Sequence, residues 1–241
     1  MRVIVCKNYD EISKTAADII ASQVILKPDS VLGLATGSTP VGTYKLLAEK
    51  NKAGVIDFKD VTTFNLDEYY PISPENDQSY RYFMNDNLFN HINIDITRTH
   101  VLNGMAEDTD KECDEFEKMI EAAGGIDLQV LGIGQNGHIG FNEPDEELVA
   151  KTHLTGLTEN TIQANSRFFE KIEDVPTQSL TMGIATILAT RKIIILASGK
   201  NKHEAVDKLI NGGITTSNPA TMLKLHPDVI VICDEEAYTG K

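Results

Sequence analysis

The chain has 241 residues, enough for a sizeable core and, for an α/β architecture, consistent with one domain over 1–241. It is 41% hydrophobic and 24% charged, as in ordinary globular proteins, and holds no run of about 20 apolar residues, so no membrane partner or span is expected. The formal net charge of −14 opposes nucleic acid or an anionic membrane as main partner, yet local cations and backbone N–H groups remain able to hold a small anion.

The N-terminus, MRVIVCKNYDE, lacks a basic region followed by a long apolar stretch and a cleavage site, so it does not read as a signal peptide. Cys6, Cys113 and Cys233 are odd in number and lack metal-ligand spacing. Both features point to a reducing, cytoplasmic setting.

Strand candidates in chain order are Arg2–Val5, Val31–Ala35, Val61–Leu66, Leu128–Ile133, Lys192–Ala197 and Val229–Cys233. Most are short, continuous apolar runs, as expected for strands covered on both faces. Helical patterns alternate with them. Ile12, Ala16, Ile19, Ile20 and Val24 keep helical spacing and stop before Pro28. Phe116, Met119, Ile120 and Ala123 end at Gly124–Gly125, and Ala205 and Leu209 precede a stop at Gly212–Gly213. The alternation predicts βαβ units and a Rossmann-like α/β fold, a mostly parallel sheet with helices on both faces. The stretch Gly140–Asn160 is too polar and broken for a core element and is expected to be a mobile active-site loop.

In open parallel sheets ligands bind beyond the carboxyl ends of strands. Thr36, Gly37, Ser38 and Thr39 follow the second strand, and Pro40 suits the first turn of a helix. Hydroxyls, a glycine and a helix N-terminus together favour an anion, although a capped turn without ligand has the same composition. Asp67 and Glu68 follow the third strand candidate. Neighbouring strand residues face opposite ways, so one is expected to face the cleft and the other to serve the fold; a solvated acidic turn is the plainer alternative.

Gly132, Gly134 and Gly137 spell G-x-G-x-x-G, but Gly140 and Pro144 interrupt the helix that a dinucleotide fingerprint requires, so no such cofactor is expected. The same loop sets His138 among glycines, five residues before Glu143, a pairing suited to proton transfer. The other histidines (His91, His100, His153, His203, His226) have no comparable setting. Arg167 and Lys202 are cations at loops and suit a phosphate, though a lone surface cation is usually a salt bridge.

Four segments carry a resemblance: Leu-Gly-Leu-Ala-Thr-Gly-Ser-Thr-Pro ending at Pro40, Asn-Leu-Asp-Glu-Tyr ending at Tyr69, Gly-Ile-Gly-Gln-Asn-Gly-His-Ile-Gly-Phe-Asn-Glu-Pro ending at Pro144, and Ala-Asn-Ser-Arg-Phe-Phe ending at Phe169. In this order and spacing the chain resembles the glucosamine-6-phosphate deaminases over nearly its whole length. The resemblance implies conversion of glucosamine 6-phosphate to fructose 6-phosphate and ammonia in amino-sugar catabolism, with no cofactor and no catalytic metal. It assigns Asp67 as the base moving a proton from C2 to C1. It assigns His138 to ring opening, assisted by Glu143 and Asn136. It places Thr36, Gly37, Ser38, Thr39, Gly132, Arg167 and Lys202 around substrate and phosphate. Many members carry Asp where this chain has Asn136; an Asn orients a neighbour by hydrogen bonding but does not ionise.

Two rivals share related folds. A 6-phosphogluconolactonase needs no base over C2, and Asn-Leu-Asp-Glu-Tyr and Phe-Asn-Glu-Pro favour the deaminase. A sugar-phosphate-sensing regulator needs a DNA-binding segment, for which a strand beginning at residue 2 leaves no room. The resemblance also implies that effector-activated, hexameric members place basic side chains just after Asn-Glu-Pro. Here Asp145, Glu146 and Glu147 are followed by His153 and Thr155, which predicts an unregulated monomer or small homo-oligomer.

Overall fold

The computed structural model describes residues 1–165, 171 and 174–241. In chain order the elements are β1 (Arg2–Cys6), α1 (Tyr9–Leu26), β2 (Val31–Leu34), α2 (Val41–Lys52), β3 (Thr62–Asn65), β4 (Asp67–Tyr70), α3 (Tyr80–Asn87), β5 (Thr99–His100) and α4 (Thr109–Ala122). They continue with β6 (Leu128–Gly132), β7 (His153–Gly156), α5 (Glu159–Asn165), β8 (Gln178–Thr181), α6 (Ile184–Leu188), β9 (Ile193–Ala197), α7 (His203–Asn211), β10 (Val229–Asp234) and α8 (Glu235–Thr239). All six strand candidates are present, with ends within about a residue or two, the usual uncertainty of element boundaries.

Seven strands form a parallel sheet in the order β1-β10-β9-β6-β2-β3-β5. Their apolar runs alternate between two cores. Val31 and Ala35, Ile193 and Ile195, and Val229 and Val231 face α4, α6, α7 and α8. Leu32 and Leu34, Ile194 and Leu196, and Ile230 and Ile232 face α1, α2 and α3. Burial on both faces is why these strands read as continuous rather than alternating apolar segments. The helix ends follow local chemistry as well. Asn8 and Asp108 accept the N–H of Glu11 and Lys111 at the starts of α1 and α4, and Gly124 and Gly125 leave α4 at φ 84° and 82°.

From β2 the chain steps to β3 and β5 on one side; through α4 it returns to β6 on the other side of β2, then moves on to β9 and β10. The direction reverses between β2 and β6, which makes the crevice at their carboxyl ends the topological switch point of the sheet.

One part of the fold departs from expectation. Within Gly140–Asn160, expected to carry no core element, His153–Gly156 forms a strand. With β4 and β8 it makes a second, antiparallel sheet in the order β4-β8-β7. β4 and β8 are mostly buried but largely polar, and β7 is only partly buried with Leu154 against the main core, so none of them carries the apolar run that marks a central strand. No helix among the described residues is long and apolar enough to cross a membrane.

Candidate active site

The loop Thr36–Thr39 leaves β2 at the switch point. Gly37 sits at φ 88°, a left-handed conformation suited to glycine, and turns the backbone toward α2. Pro40 lies just outside α2, one position earlier than expected, and its carbonyl accepts the Tyr44 N–H. Two phenols hold the loop from outside. Tyr44 Oη donates to the Ala35 carbonyl at 2.5 Å. Tyr9 Oη donates to the Ser38 carbonyl at 3.1 Å and accepts the Gly42 N–H at 2.9 Å.

The loop after β6 starts at Gly132 and carries Asn136, His138 and Glu143. No helix begins in it, so the glycine pattern here is a turn and not a dinucleotide fingerprint. His138 Nδ1 stands 3.4 Å from Glu143 Oε1, an ion-pair separation without the alignment of a hydrogen bond. Glu143 Oε2 accepts Asn136 Nδ2 at 2.7 Å, and Oε1 accepts the Thr161 hydroxyl. Burial pushes the Glu143 carboxyl up, but His138, Thr161 and Asn136 outweigh it and hold it down at about 2.

Asn136 therefore works differently from the sequence expectation. Among the described residues its amide makes no hydrogen bond to the imidazole. Its Oδ1 accepts the His138 backbone N–H at 3.2 Å while its Nδ2 holds Glu143, so it fixes the loop and the carboxylate together.

Asp67 opens β4 and is 7% exposed. Burial first, and the Glu68 charge second, push its carboxyl up to about 8. Glu68 turns the other way. Its carboxylate accepts the N–H groups of Tyr69, Tyr80 and Arg81 at 2.8–2.9 Å, which ties β4 to the start of α3. Burial raises Glu68 to about 7 against those donors.

Asp67 meets the His138 loop at Gly140, at φ 58°, where an added Cβ would lie 3.7 Å from Asp67 Oδ2 and 2.8 Å from Thr181 Oγ1. Thr181 pairs with Asp67 across the antiparallel sheet and accepts the Phe141 N–H at 3.1 Å. Asn142 adds hydrogen bonds to the carbonyls of Ile139 and Met182, both at 2.8 Å. The second sheet thus locks the carboxylate strand to the histidine loop.

Beyond β9, Gly199 leads into a 3₁₀ turn, Lys200–Lys202, and Lys202 Nζ donates to the Ile133 carbonyl at 2.7 Å, reaching the end of β6. Because β9, β6, β2 and β3 are neighbours, Lys202, Gly132–Glu143, Thr36–Thr39 and Asp67 all stand at one rim of the sheet. Arg167 lies outside the described residues. Two surface grooves of about 590 and 380 Å³ run along α1–α2 and α2–α3, and no residue of this rim lines them. Sequence reading did not find Thr161, Thr181, Asn142, Tyr9 or Tyr44; of these only Asn142, next to Glu143, lies within a motif it singled out.

The arrangement pairs a desolvated carboxylate of high proton affinity with an ionised carboxylate beside an imidazole, next to loops suited to an anion. The family described as glucosamine-6-phosphate isomerases/6-phosphogluconolactonase matches residues 7–231. Glucosamine-6-phosphate deaminases of Halothermothrix orenii and Clostridioides difficile are 59% and 57% identical over 98% of this chain, covering 98% and 95% of their own lengths. A solved structure of a monomeric glucosamine-6-phosphate deaminase is 46% identical over the whole of both chains, with a TM-score of 0.97. A Thermotoga maritima 6-phosphogluconolactonase, 18% identical with a TM-score of 0.77 over 97% of this chain and 98% of its own, shares the fold. The chain therefore belongs to the glucosamine-6-phosphate isomerase/6-phosphogluconolactonase family.

Proposed function

We propose that this protein is a glucosamine-6-phosphate deaminase, converting glucosamine 6-phosphate to fructose 6-phosphate and ammonia. The observation that carries the reading is Asp67, a buried carboxylate raised to about 8 and set against Gly140 of the histidine loop. Full-length similarity to deaminases at 57–59% identity supports it. A lactonase attacks a carbonyl with water and has no C–H bond to break at C2.

Thr36–Thr39, Lys202 and Arg167 hold the phosphate, fixing C1 and C2 against Asp67. His138 takes the proton of the O1 hydroxyl and delivers a proton to the ring oxygen, opening the pyranose. Glu143 stabilises the imidazolium formed when His138 carries the extra proton. Asp67 then takes the C2 proton while the substrate's C2 ammonium passes one to O1, giving an enolamine, and returns its proton to C1. The resulting C2 iminium adds water and loses ammonia, leaving the ketone.

The enzyme works without an activating effector. The stretch after Pro144 presents three acids, and its Lys151 is engaged by Glu117 at 3.2 Å. The relative described as monomeric supports a monomer. The test offers glucosamine 6-phosphate and, separately, 6-phosphogluconolactone. Ammonia and fructose 6-phosphate in equal amounts support the proposal; lactone hydrolysis without ammonia release contradicts it.

A further inference from the structure

The turn that presents Lys202 is held from behind by a residue with no part in the chemistry above. Asp234 ends β10, beside β9, and is 5% exposed. Its Oδ2 accepts the Ser198 hydroxyl at 2.6 Å and the Gly199 N–H at 2.9 Å, and Oδ1 shares that N–H at 3.1 Å. Gly199 lies at φ 91°, ψ 152°, a conformation open almost only to glycine. Its own carbonyl accepts the Lys202 N–H at 3.0 Å, closing the 3₁₀ turn. A continuous chain of bonds thus runs from a buried carboxylate, through a conformationally demanding glycine, to the backbone of the lysine.

We propose that Asp234 is a positioning residue for phosphate binding, fixing Ser198–Gly199 so that the Lys202 ammonium is pre-set at the end of β6. The inference rests on the reading of Lys202 as part of the phosphate clamp. Bonds to a carboxylate are strong and directional, and Lys202 sits where the short turn runs into α7, so the start of the turn sets where its side chain begins. Placing a carboxylate behind an anion site would by itself repel the anion. Here its oxygens are engaged by Ser198, Gly199 and, at the start of α8, the Ala237 N–H at 2.8 Å.

That last bond gives Asp234 a second, structural duty, and the variants separate the two. Asp234→Asn keeps an acceptor for Ala237 and sets an amide donor against the Gly199 N–H. Ser198→Ala removes one loop bond and leaves α8 untouched. The experiment measures KM for glucosamine 6-phosphate, the inhibition constant of inorganic phosphate, and kcat for these variants, Lys202→Ala and the double variant Asp234→Asn/Lys202→Ala. The expected result is that Asp234→Asn raises KM and the phosphate inhibition constant together by roughly ten-fold, with kcat changed by less than about two-fold. Ser198→Ala moves both constants the same way by less. In the Lys202→Ala background Asp234→Asn adds under about two-fold, because both act through one contact.

The inference is overturned if both loop variants leave the two constants unchanged, if Asp234→Asn tightens phosphate as removal of a repelling charge would, or if its effect persists undiminished without the lysine. If Lys202→Ala itself changes neither constant, the clamp reading fails and the positioning role goes with it. Should Asp234→Asn fail to fold, Ser198→Ala, alone and combined with Lys202→Ala, supports or overturns the inference by the same outcomes.

Discussion

Two carboxylates at the same rim of the sheet, Asp67 and Glu143, are both largely buried, yet their proton affinities are pulled in opposite directions. Asp67 has burial and the neighbouring Glu68 charge acting on it and rises to about 8. Glu143 has burial too, but Asn136, Thr161 and His138 surround it, and it falls to about 2. The difference teaches that burial alone does not decide the state of an acid. The donors within reach decide it, and two residues of similar chemistry become a carboxyl that holds its proton up to about pH 8 and a lasting anion.

The comparison breaks most visibly at Asp67. Asp67→Asn is expected to lower kcat by about 10²–10⁴-fold with little change in KM, since the carboxylate acts on the C–H bond and not on binding. Steady-state ammonia release measures this, and near-normal kcat removes Asp67 from the mechanism. Glu143→Gln is expected to cost about 10²-fold in kcat, because His138 loses the anion that stabilises its protonated form. Asn136→Ala is milder, about ten-fold, because it removes one of the donors on Glu143 and the bond to the His138 backbone. A loss for Asn136→Ala as large as for Glu143→Gln would mean that the amide acts on substrate directly.

The pH dependence follows with opposite signs. A base raised to about 8 must lose its proton before it acts, so kcat/KM of the wild type is expected to climb as pH approaches 8. In stability, Asp67 binds its proton more tightly folded than unfolded, about 8 against 3.8. The folded state therefore loses stability as pH rises from about 4 to 8, and Asp67→Asn should gain in Tm over wild type across that window. Glu143 is the reverse, about 2 folded against 4.5, so it stabilises above 4.5 and loses that contribution as pH falls toward 2. Glu143→Gln should lower Tm at neutral pH, by about 2–4 °C per kcal/mol lost, with the deficit closing in acid. Thermal melts at three or four pH values read both effects.

The parallel sheet is legible in the sequence because Val31–Leu34, Ile193–Ala197 and Val229–Asp234 are buried on both faces and write that burial as unbroken apolar runs. The site is legible where a glycine turn follows such a strand, as at Thr36–Thr39 and Gly132–His138. The second sheet is not. Gln178–Thr181 and His153–Gly156 owe their pairing to backbone bonds, and polar side chains such as Thr181 matter because they touch a distant loop. For the same reason the resemblance names Asn136 as a helper of His138 without its partners, which are a backbone N–H two residues on and a carboxylate seven residues on. Tyr9, Thr161 and Asp234 act over 29, 18 and 35–36 positions, a range that local pattern does not carry.

The contrast between the two carboxylates is tested most directly by following their carboxyl carbons with ¹³C NMR across pH, using the single variants Asp67→Asn and Glu143→Gln to assign the signals. The expected result is one carboxyl titrating near 8 that vanishes in Asp67→Asn, and one still ionised down to about 2 that vanishes in Glu143→Gln. Both groups titrating together near the ordinary value of about 4 would contradict the account.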